Sequence, residues 1–190
     1  MSHRAYFLDR DGTLNIDTDF VYKIEEWIWC DGALESIQWL NKQEIKVIVV
    51  TNQSGIARGQ YTEEDVRRLH RWVDKQLEQE EAWVDGWYMA PHHPEYDTEK
   101  RWAPEDRKPD TGMFEKAIKA HNIDPERSWM AGDKMTDLQP ALKLGITPFF
   151  LRSRHLPNQD PEWFEKHRIP TFDRLIDTLP RLEMGKPPSL

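Results

Sequence analysis

Cysteine is almost absent from this chain of 190 residues, which contains one, Cys30. A single cysteine excludes an intrachain disulfide and a zinc site built from several thiolates, and it is typical of a reducing compartment. Long apolar runs are missing too: no stretch approaches the ~18 apolar residues of a membrane-spanning helix. The first residues also lack the charged start and apolar run of a signal peptide. We therefore expect a cytoplasmic protein without a membrane segment.

Basic residues are outnumbered, since 26 Lys and Arg stand against 34 Asp and Glu, a net charge of −8. A nucleic-acid partner is not expected, because binding one requires a basic surface that replaces the counterions. A small phosphorylated substrate would have to be held by local lysines and arginines against an unfavourable overall field. The length suits one domain. We expect a monomer with a single domain over residues 1–182, an ordered loop insertion at about 90–109 and a flexible tail over 183–190.

Short apolar runs alternate with helical patterns along the chain. The runs predict buried strands, and the periodic segments between them predict helices. The predicted strands are 5–8, 46–50, 84–89, 129–131 and 148–151, and the predicted helices are 32–43, 62–80, 112–121 and 135–144. This alternation predicts an α/β fold with a doubly wound parallel sheet of Rossmann-like type. Ligands of such sheets bind at the carboxyl ends of the strands.

An acid pair, Asp9 and Asp11, follows the first predicted strand and precedes Gly12. Side chains at i and i+2 of an extended chain point to the same side, and two carboxylates there repel each other unless a cation is bound. With Mg²⁺, Asp9 could act as a nucleophile towards phosphorus, and Asp11 could exchange a proton with the leaving group and with water. The alternative is an ordinary Asp-Gly surface turn capped by Thr13.

Thr51, Asn52, Gln53 and Ser54 follow the second predicted strand. Hydroxyl, amide and main-chain N–H groups at this position can hold phosphoryl oxygens without adding charge. An Asn/Ser/Gly turn leading into a helix explains the same residues equally well. Arg58 is either an extra phosphate contact or a solvated surface arginine.

Arg107 and Lys108 stand at the entrance of a predicted helix, after the long loop. A lysine fixed beside the crevice would offset the charge of Asp9 and of a phosphoryl group. The alternative is a solvated basic pair.

Asp133 and Lys134 follow the fourth predicted strand, and Asp137 lies one turn into the next helix. Asp133 could complete a Mg²⁺ shell with Asp9 and a backbone carbonyl, while Lys134 could contact the substrate phosphate. Asp137 either supports the site through a hydrogen bond or provides negative charge at a helix N-terminus. An acid pair, Thr/Asn, Lys and acid, each at a strand end or helix start, together predict a phosphoryl-transfer site.

The strings around these residues resemble the haloacid dehalogenase superfamily of phosphohydrolases over residues 5 to about 151. Within it they resemble the heptose 1,7-bisphosphate 7-phosphatases, through the segments 7–15, 50–59, 90–94, 107–109 and 132–134. The resemblance implies a Mg²⁺-dependent phosphatase with no large cap domain. It implies Asp9 as nucleophile, Asp11 as general acid/base, and Asp9, Asp11 and Asp133 as Mg²⁺ ligands. The substrate contacts that it implies are Asp17, Thr18, Asp19, Phe20, Thr51, Asn52, Gln53, Ser54, Arg107, Lys108 and Lys134.

The long loop departs from this family. Many members hold a structural zinc there with three Cys and one His, but Ala90 stands at the first Cys position and Pro104–Asp106 at the paired positions, and only His92 is retained. Zinc favours a closed tetrahedron of thiolate and imidazole ligands, and that set is missing. His92, His93 and Glu105 could form a weak metal site, but we expect no zinc and a loop held by packing around Trp102.

The sequence thus predicts a phosphatase for a sugar phosphate, with D-glycero-D-manno-heptose 1,7-bisphosphate as the first candidate substrate. Alternatives are a histidinol-phosphate phosphatase and, against the acidic charge, a nucleotide or polynucleotide phosphatase. A non-catalytic phosphosugar-binding protein is the alternative from another class, and the complete set of Asp9, Asp11, Lys108 and Asp133 counts against it.

Overall fold

A six-stranded parallel sheet forms the centre of the fold. The structure is a computed structural model and describes residues 2–153 and 160–183. The strand order is β3-β2-β1-β4-β5-β6. The strands are β1 Ala5–Leu8, β2 Lys46–Asn52, β3 Gly86–Ala90, β4 Trp129–Gly132, β5 Thr147–Leu151 and β6 Thr171–Phe172.

Helices connect the strands in chain order. They are α1 Ala33–Lys42, α2 Glu63–Gln79, α3 Gly112–His121, α4 Met135–Lys143, α5 Pro161–His167 and α6 Leu179–Glu183. Helix α2 begins at a capping box, in which Thr62 and Asp65 each accept a hydrogen bond from the other's main-chain N–H. Among the described residues, no helix is both long and apolar enough to cross a membrane.

Alternate side chains of β1 enter two separate hydrophobic layers. Tyr6 and Leu8 pack with α1 and α2 on one face of the sheet, whereas Ala5 and Phe7 pack with α3 and α4 on the other. Strands covered on both faces must be apolar throughout, which explains the continuous runs in the sequence. The predicted doubly wound α/β fold is confirmed, and residues 2–153 and 160–183 contain no large cap domain.

The order of the strands locates the crevice. The chain proceeds from β1 through β2 to β3 on one side, then crosses to β4 and continues to β5 and β6 on the other. The direction of winding therefore reverses at β1 and β4, and such reversals open a crevice at the carboxyl ends of the strands.

The predicted strands and helices are present, with ends that differ by no more than about two residues. β6, α5 and α6 are not predicted from the sequence, because each is too short to show a periodic pattern. Of the predicted tail over 183–190, Glu183 ends α6, and 184–190 lie outside the described residues.

Candidate active site

Three buried carboxylates meet at the carboxyl ends of β1 and β4. Asp9 follows β1, Asp133 follows β4, and Asp137 lies in the first turn of α4. One oxygen of each lies within 4.8 Å of the others. The parallel pairing of β1 with β4, which continues as a hydrogen bond of 3.0 Å from the Asp9 N–H to the Ala131 carbonyl, brings these distant residues together.

Lys108 supplies positive charge at the centre of this group. Its Nζ lies 2.8 Å from Asp9 Oδ1, 2.7 Å from Asp137 Oδ1 and 2.8 Å from the Val50 carbonyl. These three acceptors satisfy the three protons of an ammonium group. Burial lowers the pKa of Lys108, but Asp137 and Asp9 outweigh it and the pKa is raised. Lys108 is therefore a fixed cation beside Asp9, and its contact with substrate stays a prediction.

One lysine does not balance three carboxylates. Burial, followed by repulsion from Asp137, raises the pKa of Asp9 to about 6, against the opposing effect of Lys108. Burial and Asp137 likewise raise the pKa of Asp133 to about 7. Asp137 itself accepts a hydrogen bond of 2.9 Å from the Lys134 N–H, so it both caps α4 and binds Lys108. The two roles considered for Asp137 are thus combined.

The surroundings of Asp133 indicate where an additional positive charge would bind. Both of its carboxylate oxygens are buried without a hydrogen-bond partner of normal geometry among the described residues, although Ser153 is near enough to lower the pKa of Asp133. Oxygen ligands from carboxylates are those that Mg²⁺ prefers. Gly12 leaves room for Asp133, since a Cβ atom at this position, which has φ 84°, would lie 2.3 Å from Asp133 Oδ2. The residues therefore fit a divalent cation bound by Asp9 and Asp133.

The carboxylate of Asp11 is held apart from this group. Its Oδ1 accepts hydrogen bonds from Arg10 at 2.8 Å and Asn15 at 3.0 Å, and its Oδ2 accepts one from Gln53 at 3.0 Å. Burial acts to raise the pKa of Asp11, but Arg10 and the other donors lower it. The side chain of Asp11 is thus fixed as an anion, and its part in metal binding and proton transfer stays a prediction.

Arg10 is not among the residues that the sequence predicts for the site, yet it is completely buried. Besides binding Asp11, it donates to the Val21 carbonyl at 2.5 Å, and its Nη1 lies 3.4 Å from His70 Nε2. Burial and Arg10 lower the pKa of His70, which is therefore neutral and can accept at Nε2. The available signal was an arginine placed between two acids at the end of a buried strand.

Two of the predicted substrate contacts, Asn52 and Gln53, form hydrogen bonds with other residues of the site. The Asn52 side chain exchanges two hydrogen bonds of 3.0 Å with the main chain of Lys108. The buried Gln53 donates to Thr51 Oγ1 at 2.9 Å as well as to Asp11, and it accepts a hydrogen bond of 2.8 Å from the Tyr61 hydroxyl. Ser54 is half-buried beside them. Contacts of these residues with substrate stay predictions.

The remaining predicted contacts lie at the rim. Lys134 Nζ is 3.4 Å from Asp17 Oδ2 and 3.9 Å from Asp133 Oδ1. Burial acts to lower the pKa of Lys134, but the opposite effect of Asp9 and Asp133 is larger. The pKa is therefore raised, and Lys134 stays charged. Exposed residues continue the rim after Asp17, namely Thr18, Asp19 and Phe20.

Two arginines at the rim, Arg58 and Arg107, have no carboxylate partner among the ion pairs of the described residues. The Arg58 guanidinium lies 4.3 Å from the centre of the Tyr96 ring, and its Nη2 is 3.3 Å from His93 Nε2. Arg107 donates to the His92 carbonyl at 3.2 Å. Burial, followed by repulsion from Arg58, lowers the pKa of Arg107.

Comparisons with known proteins agree with this geometry. A family model described as polynucleotide kinase 3 phosphatase matches residues 4–142. D-glycero-beta-D-manno-heptose-1,7-bisphosphate 7-phosphatase of Haemophilus ducreyi is 43% identical over 147 residues, which are 77% of this chain and 81% of that protein.

Two solved structures share the fold. D,D-heptose 1,7-bisphosphate phosphatase from B. bronchiseptica, complexed with magnesium and phosphate, superimposes with a TM-score of 0.79 at 28% identity, over 95% of this chain and 98% of its own. A putative HAD-like phosphatase from Mesorhizobium loti gives 0.79 at 29% identity, over 99% and 90%. This chain belongs to the haloacid dehalogenase superfamily of phosphatases.

The long loop of this phosphatase packs around Trp102, as the sequence predicts. The ring lies against a small cluster formed by Ile56, Tyr61 and Val66, and its Nε1 donates to Glu63 at 2.8 Å. The loop is thereby fixed to the start of α2 beside the crevice.

Proposed function

We propose that this phosphatase is Mg²⁺-dependent and hydrolyses the 7-phosphate of D-glycero-β-D-manno-heptose 1,7-bisphosphate. The observation that carries the proposal is a buried pair of carboxylates: Asp9 binds the fixed Lys108, and neither oxygen of Asp133 has a hydrogen-bond partner of normal geometry among the described residues. The relatives named for this substrate, at 41 to 44% identity, support the choice of sugar.

The carboxylates of Asp9 and Asp133 would hold Mg²⁺. Asp11 would contribute its main-chain carbonyl, because its own carboxylate is bound by Arg10, Asn15 and Gln53. When bound, Mg²⁺ would neutralise the carboxylates and the phosphoryl oxygens, which otherwise repel each other.

Asp9 is proposed as the nucleophile. A carboxylate oxygen of Asp9 attacks phosphorus, the bond from phosphorus to the sugar oxygen breaks, and Asp11 gives a proton to that oxygen. Water then attacks the aspartyl phosphate and loses a proton to Asp11, so that inorganic phosphate leaves and Asp9 is restored. Because Arg10 holds Asp11 as an anion, its role as an acid requires the pKa to rise when the phosphoryl dianion binds beside it.

Lys108 and Lys134 would stabilise the charge on the transferred phosphoryl group. Both keep their charge despite burial, and Lys108 cannot move far because three acceptors hold it. Fixed cations need no reorganisation as charge develops in the transition state.

Arg58 and Arg107 favour a substrate with a second phosphate. The two guanidinium groups contact the adjacent residues His92 and His93, and neither has an acidic partner among the described residues, so an anion would stabilise them. The phosphate at C1 of the sugar would bind them while the 7-phosphate reacts at Asp9.

The test is a substrate panel assayed with Mg²⁺ and with EDTA. It contains both anomers of the heptose bisphosphate, histidinol phosphate, a 3′-phosphorylated oligonucleotide and p-nitrophenyl phosphate. We expect the β-bisphosphate to give the highest kcat/KM and EDTA to abolish turnover. A higher kcat/KM for histidinol phosphate or the oligonucleotide would contradict the proposed substrate, and full activity in EDTA would contradict the role of Mg²⁺.

The oligonucleotide is included because the matching family is described by a polynucleotide substrate. The net charge of −8 counts against such a substrate here. A monomeric state and a cytoplasmic location stay predictions.

A further inference from the structure

Asp97 lies in the middle of the long loop between β3 and α3 and is only 4% exposed. Its Oδ2 accepts hydrogen bonds from His92 Nδ1 at 2.9 Å and from the Trp102 N–H at 3.2 Å. Its Oδ1 accepts one of 2.9 Å from the Arg101 N–H. A single carboxylate thus ties the beginning of the loop to its second half.

Residues next to these contacts hold both rim arginines. The His92 carbonyl accepts the hydrogen bond from Arg107, and the His93 ring contacts Arg58. Tyr96, which precedes Asp97, provides the ring on which Arg58 lies. If the loop lost its conformation, Arg58 and Arg107 would lose their positions together.

The loop does not fit the zinc of the family. Ala90 and Pro104 have no ligand atom in their side chains, and Asp106 forms an ion pair of 2.5 Å with Lys116. His92, the one retained ligand, directs Nδ1 to Asp97. Zinc requires about four N, S or O ligands in a closed arrangement. These positions offer His92, Glu105 and Asp106 without a thiolate, and His92 and Asp106 already contact Asp97 and Lys116.

We infer that Asp97 is a positioning residue: its carboxylate fixes the long loop at the place where the family resemblance implies a zinc site, and it thereby places Arg107 and Arg58 to receive the non-reacting phosphate. A carboxylate that accepts several main-chain N–H groups can replace a metal as the centre of a loop, because it joins donors from separate segments. The substrate readout of this inference rests on the proposed function.

The test compares Asp97→Ala and Asp97→Asn with the control Glu99→Gln. Glu99 is in the same loop, its side chain is 77% exposed, and its one ion pair, to Arg101, is long at 3.8 Å. Asp97→Asn keeps the shape of the side chain but puts an NH₂ group against one of its donors, so a moderate effect is measurable even if Asp97→Ala fails to fold.

We expect both Asp97 variants to raise KM for the bisphosphate by about 10- to 100-fold, the size of effect seen when a binding group is misplaced by about 1 Å. The kcat/KM for p-nitrophenyl phosphate, which has no second phosphate, should stay within about twofold. Amide hydrogen exchange at Arg101 and Trp102 should accelerate in the variants and not in Glu99→Gln. Metal analysis of the wild type should find less than about 0.1 zinc per chain.

Unchanged KM for the bisphosphate with unchanged amide exchange would overturn the inference. An equal loss on both substrates would also overturn it, because that pattern indicates general destabilisation. One tightly held zinc per chain would overturn the replacement of zinc. If the wild type hydrolyses p-nitrophenyl phosphate and no bisphosphate, the proposed function fails, whereas amide exchange and zinc content still test the role of Asp97.

Discussion

The centre of the site and the long loop between β3 and α3 each contain a buried carboxylate, but the two differ in their hydrogen-bond partners. At the centre, neither oxygen of Asp133 has a hydrogen-bond partner of normal geometry among the described residues, and its pKa is raised to about 7. In the loop, both oxygens of Asp97 accept hydrogen bonds, and these outweigh burial to lower its pKa. A buried carboxylate without partners is unstable until a cation arrives, whereas a fully paired one holds structure. The number of hydrogen bonds that a buried carboxylate accepts therefore distinguishes a candidate cation ligand, Asp133, from a residue that fixes the loop, Asp97.

Substitution of Asp9 in the centre of the site should have the greatest effect on turnover. Asp9→Asn should lower turnover by about 10⁴-fold or more, because an amide is a poor nucleophile and a poor metal ligand. Circular dichroism should show an intact fold. Asp173→Asn, which changes a side chain that is 71% exposed, is the control and should be fully active. Steady-state turnover by Asp9→Asn near the wild-type rate would exclude the covalent route.

Lys108→Met removes the cation that the carboxylates share. Turnover should fall by about 10²- to 10³-fold. The free energy of unfolding, measured with urea and without Mg²⁺, should fall by about 3–5 kcal/mol, because Asp9 and Asp137 are left buried with their charges uncompensated. Lys116→Met, at a surface ion pair with Asp106, should cost only about 0–1 kcal/mol. Equal losses in the two variants would show that burial does not matter here.

Arg58→Ala removes one of the two cations at the rim of the crevice. It should raise KM for the bisphosphate about tenfold, through loss of a charge-assisted contact worth about 1.4 kcal/mol. KM for the matching heptose 7-phosphate should hardly change, because it has no second phosphate. Arg71→Ala, on the exposed side of α2, is the control. An equal rise in KM for both sugars would remove Arg58 from the second phosphate site.

The smallest change that we expect is in how the stabilisation by Mg²⁺ depends on pH. The raised pKa values of Asp9 and Asp133, about 6 and 7, mean that protons must leave both groups before a cation binds. Without metal, their ionisation destabilises the folded protein as the pH rises from about 4 to 7, because the folded state binds protons more tightly than the unfolded one. The increase in Tm caused by Mg²⁺ should therefore be larger at pH 7.5 than at pH 5.5. A larger increase at pH 5.5 would contradict this sign.

Sequence patterns predict the centre better than the loop. Asp9, Asp133 and Lys108 are each linked to a buried strand end or a helix start, and parallel strands bring such ends to one edge. The residues that hold Asp11 in place, Arg10 among them, follow no period. Asp97 is one acid among many in a charged loop, and only the folded loop shows which donors reach it. Hydrogen bonds between distant side chains depend on tertiary structure, which periodicity does not describe.

Asp9 and Asp133 are proposed to share one divalent cation. A crystal soaked with Mn²⁺ and phosphate, with data collected at the Mn absorption edge, tests it directly. We predict one anomalous peak in contact with carboxylate oxygens of both residues and with a phosphate oxygen. An ion bound elsewhere, or a well-occupied phosphate with no ion between Asp9 and Asp133, would contradict the account.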